Sequence, residues 1–182
     1  FKRVAEVPTS VAADFDNDGL VDLFSWSARK LYHNDGKMKF TAVKLPELPP
    51  SVSRGACWGD FNGDGFVDIY IGGYEDWGKG ITWPFQVLIS QKGKSFKLAL
   101  SKSQTRARGV TACDFDQDGD LDVYVSSYRL QPNLLWLNDG KAAFTESAKK
   151  FGVIATSKGF GGGHSIGSAW GDFNNDGLID IF

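Results

Sequence analysis

Four nine-residue windows of the chain concentrate carboxylate and amide oxygens at fixed positions. They begin at Asp14, Asp60, Asp114 and Asp172, and each follows the pattern D-x-[DN]-x-D-G-x-x-D. Three or four carboxylates held this close repel one another strongly unless a cation lies between them. Alternate residues of a tight loop can point oxygen atoms at one centre, and hard oxygens are the donors that Ca²⁺ prefers. Each window therefore predicts a calcium site, about four sites in all.

The predicted ligands are the side-chain oxygens at positions 1, 3, 5 and 9 and the backbone carbonyl at position 7. The side chain at position 7 varies between windows, as expected when only its carbonyl matters. Position 6 is always glycine, which permits the sharp bend that such a loop needs. The predicted metal-binding residues are Asp14, Asp16, Asp18, Leu20 and Asp22; Asp60, Asn62, Asp64, Phe66 and Asp68; Asp114, Asp116, Asp118, Asp120 and Asp122; and Asp172, Asn174, Asp176, Leu178 and Asp180.

Other metals fit these windows less well than calcium. Mg²⁺ dehydrates reluctantly and prefers few protein ligands, and transition metals call for histidine or cysteine, which the windows lack. The windows are not EF-hand loops, because position 12 holds Ser25, Ile71 or Val125 where an EF-hand needs glutamate. The third window carries an extra acid, Asp120, so we expect it to bind Ca²⁺ most tightly.

Each window lies between two strand-like segments, and a hairpin follows each of the first three. The hairpins fall within Leu31–Phe40, Val87–Phe96 and Leu135–Phe144, each around a glycine-containing turn. Four strands in roughly 50 residues, repeated in tandem, are typical of β-propeller blades. A generic β-sandwich would not need the same motif at the same point of every unit. The phenylalanine at position 2 of every window is expected to anchor the loop in the core.

We therefore predict an all-β fold, a β-propeller of four-stranded blades. The chain would cover about three full blades and two partial ones within a single propeller domain. The predicted units are residues 1–8, the last strand of a preceding blade, then 9–44, 54–100 and 108–148, and the partial unit 165–182. Three full blades cannot close a ring, and open sheet edges promote aggregation. We therefore expect the chain to be a piece of a longer polypeptide.

The overall composition excludes several classes of protein. Of the 182 residues, 42% are hydrophobic, so the chain can bury a core and is not a disordered tail. A net charge of −2 predicts no nucleic-acid partner, and no apolar run approaches the ~18 residues of a membrane span. Two cysteines do not make a disulfide framework.

The antiparallel strand order predicts two chemically different faces. The acidic loops and hairpin turns share one end of the sheets, and longer, basic connections such as Glu75–Pro84 and Ser101–Arg108 share the other. We expect this second face to bind a protein or an acidic glycan, although it could also be a solvated surface whose tryptophans pack locally. The predicted partner-binding residues on this face are Trp77, Trp83, Arg106 and Arg108.

The two histidines, His33 and His164, are predicted to have local structural roles.

The loop pattern resembles the FG-GAP/VCBS-type repeat. The stretches Trp136–Val153 and Gly163–Gly177 are similar in particular to repeats of the ASPIC/UnbV and cartilage acidic protein group. The resemblance covers essentially the whole chain. It implies a calcium-bound propeller of roughly seven blades, in an extracellular, periplasmic or cell-surface location. The integrin-type Phe-Gly and Gly-Ala-Pro element is not present in that form, so integrin ligand binding is not implied.

No residues suggest an enzyme. The sequence contains no nucleophile motif and no phosphate-binding loop, and its clustered carboxylates are assigned to calcium, which makes them poor general acids or bases. We therefore expect a calcium-stabilised interaction or adhesion module. Two alternatives remain at this point: the propeller of a secreted polysaccharide-processing enzyme, and a lectin-like glycan binder.

Overall fold

The computed structural model describes residues 7–182, and the side chains of these residues other than 100–104. The strand predicted over residues 1–8 therefore lies mostly outside the described residues. Within the described part, the chain forms three four-stranded antiparallel sheets and two two-stranded ones. The predicted all-β class with four-stranded units is thus confirmed. None of the helices in residues 7–182 has the length and apolar character to cross a bilayer.

The four repeats form sheets one to four in chain order. Sheet one contains β1 Ser10–Ala13, β2 Asp22–Ser25, β3 Lys30–Asn34 and β4 Phe40–Val43. Sheet two contains β5 Ser53–Gly59, β6 Asp68–Gly73, β9 Pro84–Ser90 and β10 Phe96–Gln104, with the small hairpin β7 Glu75–Asp76 and β8 Ile81–Thr82 and a 3₁₀ turn at Trp77–Lys79 inserted after β6. Sheet three contains β11 Ala107–Cys113, β12 Asp122–Ser127, β13 Leu134–Asn138 and β14 Phe144–Glu146, followed by helix α1 Ala148–Phe151. Sheet four contains β15 Trp170–Gly171 and β16 Asp180–Ile181.

Each acidic window is the turn between the first two strands of its sheet. In sheet one, Ala13 pairs with Asp22, so the pairing stops just before the first aspartate and resumes at position 9. The same closing pair occurs in the other sheets, as Gly59 with Asp68, Cys113 with Asp122 and Gly171 with Asp180. The repeat seen in the sequence is therefore also a repeat of backbone register.

Contacts outside the local pattern set two strand boundaries. Strand β1 ends at Ala13, because the Phe15 N–H donates to the Asp22 carboxylate instead of the sheet. The segment Ser101–Arg108 was predicted to be a loop. Most of it is strand, since β10 continues to Gln104, opposite Pro84 at the start of β9, and β11 begins at Ala107.

The three main sheets stack so that neighbouring sheets enclose an apolar core. In β6, Ile69 and Ile71 face the core shared with sheet one, while Tyr70 faces the core shared with sheet three. In β12, Val125 joins the core shared with sheet two, whereas Tyr124 joins the core beside sheet four. Because strand side chains alternate between faces, a central strand buried on both sides needs apolar residues throughout.

The position-2 phenylalanines lie between sheets. The ring of Phe15 packs 5.8 Å from that of Phe96, at the start of β10 in the next sheet, and Phe61 packs 5.4 Å from Phe144 at the start of β14. Phe15 and Phe61 are buried, whereas Phe173 is 61% exposed beside the two-stranded sheet four. Phe15 and Phe61 therefore anchor their loops to the neighbouring sheet as well as to their own.

The first strands of successive sheets lie side by side along an open groove. Ala12 of β1, Ala56 of β5, Val110 of β11 and Ala169 beside β15 all contribute to its wall. Strands three and four lie farther from this groove, because each sheet is a meander in sequence order.

Gly93, in the β9–β10 turn, is where sheet two contacts the acidic loop of sheet one. Its φ is +70°, and a Cβ atom there would lie 2.7 Å from the Asp16 Cα. Gly80 has a similar φ of +65° but has open space around its Cβ position.

We expect Gly80→Ala to lower the unfolding free energy by about 1 kcal/mol, from backbone strain alone. Gly93→Ala should lower it by about 2–4 kcal/mol, because backbone atoms must also separate. Urea unfolding of both variants in chelator measures the difference, and equal losses would contradict the close contact.

Candidate functional site

The acidic loops have the same backbone conformation in all four repeats. Gly19, Gly65, Gly119 and Gly177 at position 6 have φ values of +84° to +96°, as the predicted bend requires. Position 4 is also left-handed, with φ of +59° to +69°. The sequence offered a weak signal there, since Asn17, Gly63, Gln117 and Asn175 include residues that tolerate this conformation.

The position-1 carboxylate organises the loop from within. Asp14 Oδ1 accepts a hydrogen bond from the Asp18 N–H at 3.1 Å, and Asp14 Oδ2 accepts one from the Gly19 N–H at 2.8 Å. Asp18 Oδ1 accepts in turn from the Leu20 N–H at 2.7 Å. The same three bonds recur in the other loops, formed by Asp60, Asp64, Asp114, Asp118, Asp172 and Asp176.

In the first three repeats, the position-9 carboxylate is buried and joins the loop to the third strand. Asp68 Oδ2 accepts from the Phe61 N–H at 3.0 Å, and Asp68 Oδ1 accepts from the Ser90 N–H at 2.7 Å, at the end of β9. Asp22 and Asp122 make the equivalent pairs of bonds. Sequence reasoning gave this aspartate only a metal-binding role, so its backbone partners are a new finding.

Carboxylate oxygens converge in loops one and three. One oxygen from each of Asp14, Asp16 and Asp22 lies within 4.8 Å of the others, and the same holds for Asp114, Asp116 and Asp122. The Oδ1 atom of Asp16 is buried and has no hydrogen-bond donor among the described residues. Each carboxylate oxygen has two lone pairs, so those that accept from the backbone can still bind a cation. This donor set is all oxygen and fits a hard divalent cation.

Loops two and four differ because position 3 is asparagine. Asn62 Oδ1 accepts from the Asp64 N–H at 3.1 Å, and Asn174 Oδ1 accepts from the Asp176 N–H at 2.9 Å. The extra acid of loop three, Asp120, lies outside the converging cluster. Its carboxylate lies against Gly140 of the β13–β14 turn, where a Cβ would approach Asp120 Oδ1 to 2.6 Å.

The buried carboxylates have perturbed proton affinities. Burial raises the pKa of both Asp68 and Asp122 to about 6, despite backbone hydrogen bonds that favour the charged form. Burial also raises the pKa of Asp22 and of Asp116, and neighbouring aspartates add to both effects. The loops therefore hold negative charge at a free-energy cost that a bound cation would offset.

His33 contributes to loop one, a role that was not predicted. Its Nε2 atom lies 3.3 Å from both Asp16 Oδ2 and Asp18 Oδ2, and its Nδ1 atom lies 2.9 Å from Asp35 Oδ1. The hydrogen bond with Asp35 is the main reason that the pKa of His33 is raised. The sequence predicts that the acidic loops and the hairpin turns lie at the same end of the sheets, and this prediction could have placed His33 near loop one.

Side-chain amides connect neighbouring loops. The Asn17 Nδ2 group donates to the Gly65 carbonyl of loop two at 3.0 Å, and the Gln117 Nε2 group donates to the Gly177 carbonyl of loop four at 2.7 Å. Loop two has Gly63 at the equivalent position and so has no side chain to reach loop three.

The opposite face contains the four predicted partner-binding residues in different environments. Trp77 is 71% exposed, and the Arg129 guanidinium lies 4.0 Å from its ring centroid. Arg106 and Arg129 both form salt bridges with buried Glu75, at 2.9 and 2.7 Å. Glu75 therefore holds the inserted hairpin against sheet three, and Arg106 is engaged in this internal contact.

Trp83 and Arg108 also differ from each other. Trp83 is half-buried, its indole nitrogen is inaccessible to solvent, and its backbone bonds to Tyr74 and Thr105. Arg108 lies between two aromatic rings, 5.7 Å from the centroid of Tyr74 and 5.0 Å from that of Tyr128. Trp77 is thus the most exposed of the four, and Arg108 differs from Arg106 in forming no salt bridge among the described residues.

Comparison with known proteins gives one family match and one curated relative. The model of the FG-GAP-like repeat matches residues 14–71 and 114–182, more than half of the chain. Cartilage acidic protein 1 of Mus musculus is 28% identical over 173 residues, a match that covers 83% of this chain. The chain spans about a quarter of that relative's length, since the match covers 24% of it.

The raised pKa values predict how stability without calcium depends on pH. Asp68 has a pKa of about 6 in the folded protein against an ordinary 3.8, so between these values the folded state binds more protons than the unfolded state. Stability therefore falls as the pH rises from about 4 to about 6. Asp68→Asn should reduce this slope by roughly 1 kcal/mol per pH unit. Urea unfolding in chelator across this range measures it, and an unchanged slope would contradict the assignment.

Glu75 predicts a second stability effect. Glu75→Gln leaves two guanidinium groups close together without their buried counter-charge, so the unfolding free energy should fall by about 1–3 kcal/mol. Asp76→Asn is the matched control, because it breaks the neighbouring Asp76–Lys79 pair, whose lysine is 68% exposed, and should cost less than about 0.5 kcal/mol. Thermal unfolding compares the two, and a smaller loss for Glu75→Gln than for the control would exclude this role.

Proposed function

Because the chain belongs to the FG-GAP-like repeat family, we propose that it is part of a calcium-binding β-propeller that acts as an extracellular interaction module. Repeats of this family are typically extracellular interaction modules. The observation that carries the calcium proposal is the convergence of three carboxylates in loops one and three, with a buried Asp16 oxygen that has no donor among the described residues.

Calcium would be held by the side chains at positions 1, 3, 5 and 9 and by the carbonyl at position 7. The bound ion would balance the negative charge of the buried position-9 carboxylates. We propose that loop three binds most tightly, because it combines the converged Asp114, Asp116 and Asp122 with the additional negative charge of Asp120. Loops two and four, with asparagine at position 3, bind more weakly.

The propeller proposal is supported by the packing of the sheets. Successive sheets share cores face to face, and their first strands lie along one groove, as blades around a central axis do. We infer that the four sheets are consecutive blades of one ring. A location outside the cell is supported by the family and by the match to a cartilage protein.

We propose binding, not catalysis, as the role of this segment. The clustered carboxylates of the described residues are organised by backbone N–H groups of their own loops, which leaves them poorly placed to exchange protons with a substrate. The face opposite the loops then meets the partner, and calcium keeps the strand connections rigid.

Calcium titration tests this proposal. Ca²⁺ should raise the midpoint of thermal unfolding in proportion to the logarithm of its concentration, and a chelator should reverse the effect. Asp116→Asn should weaken the tightest site in calorimetry by about tenfold or more, because a converging carboxylate is lost. Asp139→Asn is the matched control, since it removes one exposed charge from the turn of the same sheet.

Two results would overturn the proposal. One is no calcium-dependent rise in the unfolding midpoint, and the other is an equal loss of affinity in Asp116→Asn and Asp139→Asn. An equal stabilisation by Mg²⁺ at the same concentration would show that the site does not select calcium.

A further inference from the structure

Two arginines and two tyrosines alternate on the face opposite the acidic loops. The guanidinium carbons of Arg54 and Arg108 each lie 5.7 Å from the ring centroid of Tyr74, and Arg108 also lies 5.0 Å from that of Tyr128. These distances are in the range of cation–π contact. We refer to Arg54, Tyr74, Arg108 and Tyr128 as the arginine–tyrosine array.

The array occupies equivalent places in two consecutive repeats. Arg54 and Arg108 each lie six residues before the first aspartate of their loop, on the first strands of sheets two and three. Tyr74 and Tyr128 each follow the second strand of the same sheets. Repeats one and four have Pro8 and Ile166 at the arginine position, so the array belongs specifically to repeats two and three.

The two arginines of the array carry no internal counter-charge. Among the described residues, neither Arg54 nor Arg108 forms a salt bridge, whereas nearby Arg106 and Arg129 share Glu75. Tyr74 is buried beneath them with 6% of its surface exposed, and Arg54 is exposed. The array thus places two guanidinium groups over the Tyr74 ring. Beside it, two further arginines, Arg106 and Arg129, share the single carboxylate of Glu75.

We propose that this array binds an anionic glycan. This role rests on the proposed function of the segment as an interaction module, for which the array would be the binding site and an anionic glycan the partner. The guanidinium groups of Arg54 and Arg108 would each hold a sulfate or carboxylate group through paired N–H donors. The half-exposed Tyr128 ring lies 5.0 Å from the Arg108 guanidinium and 4.8 Å from the His164 ring, so it would hold Arg108 in position for the anion.

The chemistry of the surface favours a glycan over an acidic peptide. Charged groups and aromatic rings alternate, and the anions of a glycan are likewise separated by the apolar faces of its sugar rings. Arginine clusters also bind acidic peptide motifs, so the preference for a glycan rests on the tyrosine rings that separate the two arginines, and an acidic polypeptide is the comparison that tests it.

Binding of the calcium-loaded full-length protein to immobilised glycans tests the inference. The probes are heparin, which carries sulfate and carboxylate, polygalacturonate, which carries only carboxylate, and poly-glutamate as the acidic polypeptide. In about 0.15 M salt, where distant charges are largely screened, the Arg54→Gln/Arg108→Gln variant should bind the preferred glycan at least ~10-fold more weakly. Heparin binding alone identifies sulfate as the recognised group, and binding of both glycans identifies carboxylate as sufficient.

Matched variants separate the array from general charge attraction and from misfolding. Lys92→Gln/Lys94→Gln removes two exposed positive charges from the opposite end of sheet two and should keep affinity within about twofold, since distant charges are screened. Tyr128→Phe keeps the ring and should bind like the wild type, whereas Tyr128→Leu should not. Circular dichroism and the unfolding midpoint confirm that each variant is folded.

Three outcomes would overturn the inference. They are no binding to either glycan, equal losses in the arginine and lysine pairs, and tighter binding to poly-glutamate than to both glycans. The calcium proposal fails separately: if Ca²⁺ adds no stability while the arginine pair still controls glycan binding, the array stands and the metal sites do not. If Ca²⁺ stabilises the protein and no glycan binds, only the array is rejected.

Discussion

In the first three repeats, the other features depend on the hydrogen bonds of the buried carboxylate at position 9. In sheet two, Asp68 accepts one N–H from the start of the acidic loop and another from the end of the third strand. It thereby fixes the loop, the first strand pair and the hairpin in one arrangement. A charge with no solvent contact is costly, and in loops one and three the equivalent carboxylates, Asp22 and Asp122, also belong to the converging oxygen clusters. The fold and the candidate metal site therefore share a single structural element.

The sheets meet through cores that are built from alternate residues of the same strand. Tyr70 and its neighbour Ile69 in β6 pack in opposite directions, toward sheets three and one. The position-2 phenylalanines extend this contact to the loop end, where Phe61 reaches the strand that begins at Phe144. A displaced loop would therefore disturb two sheets, which links the geometry of the acidic turns to the packing between repeats.

Local sequence predicted much of this arrangement, and the missing parts depend on distant residues. The glycine at position 6 and the alternating aspartates predict the loop conformation, because both act within nine residues. The extension of β10 to Gln104 was not predicted, because it depends on pairing with Pro84 across the hairpin. His33 reaches Asp16 across the sheet, and Arg108 contacts the Tyr74 ring of another repeat. Such contacts depend on how sheets stack, which no short motif encodes.

The amide bonds between loops have a mechanical consequence. Asn17 ties loop one to loop two, and Gln117 ties loop three to loop four. Between loops two and three, Gly63 offers no such tie, and the junction instead uses the Phe61 carbonyl, which accepts from the Ala142 N–H and the Asn138 side chain. Loops one and two are thus joined directly by a side-chain hydrogen bond, whereas the hydrogen bonds between loop two and sheet three come from the hairpin. Side-chain amide bonds thus group the four loops into two pairs, and backbone and side-chain bonds from the β13–β14 hairpin connect the two pairs.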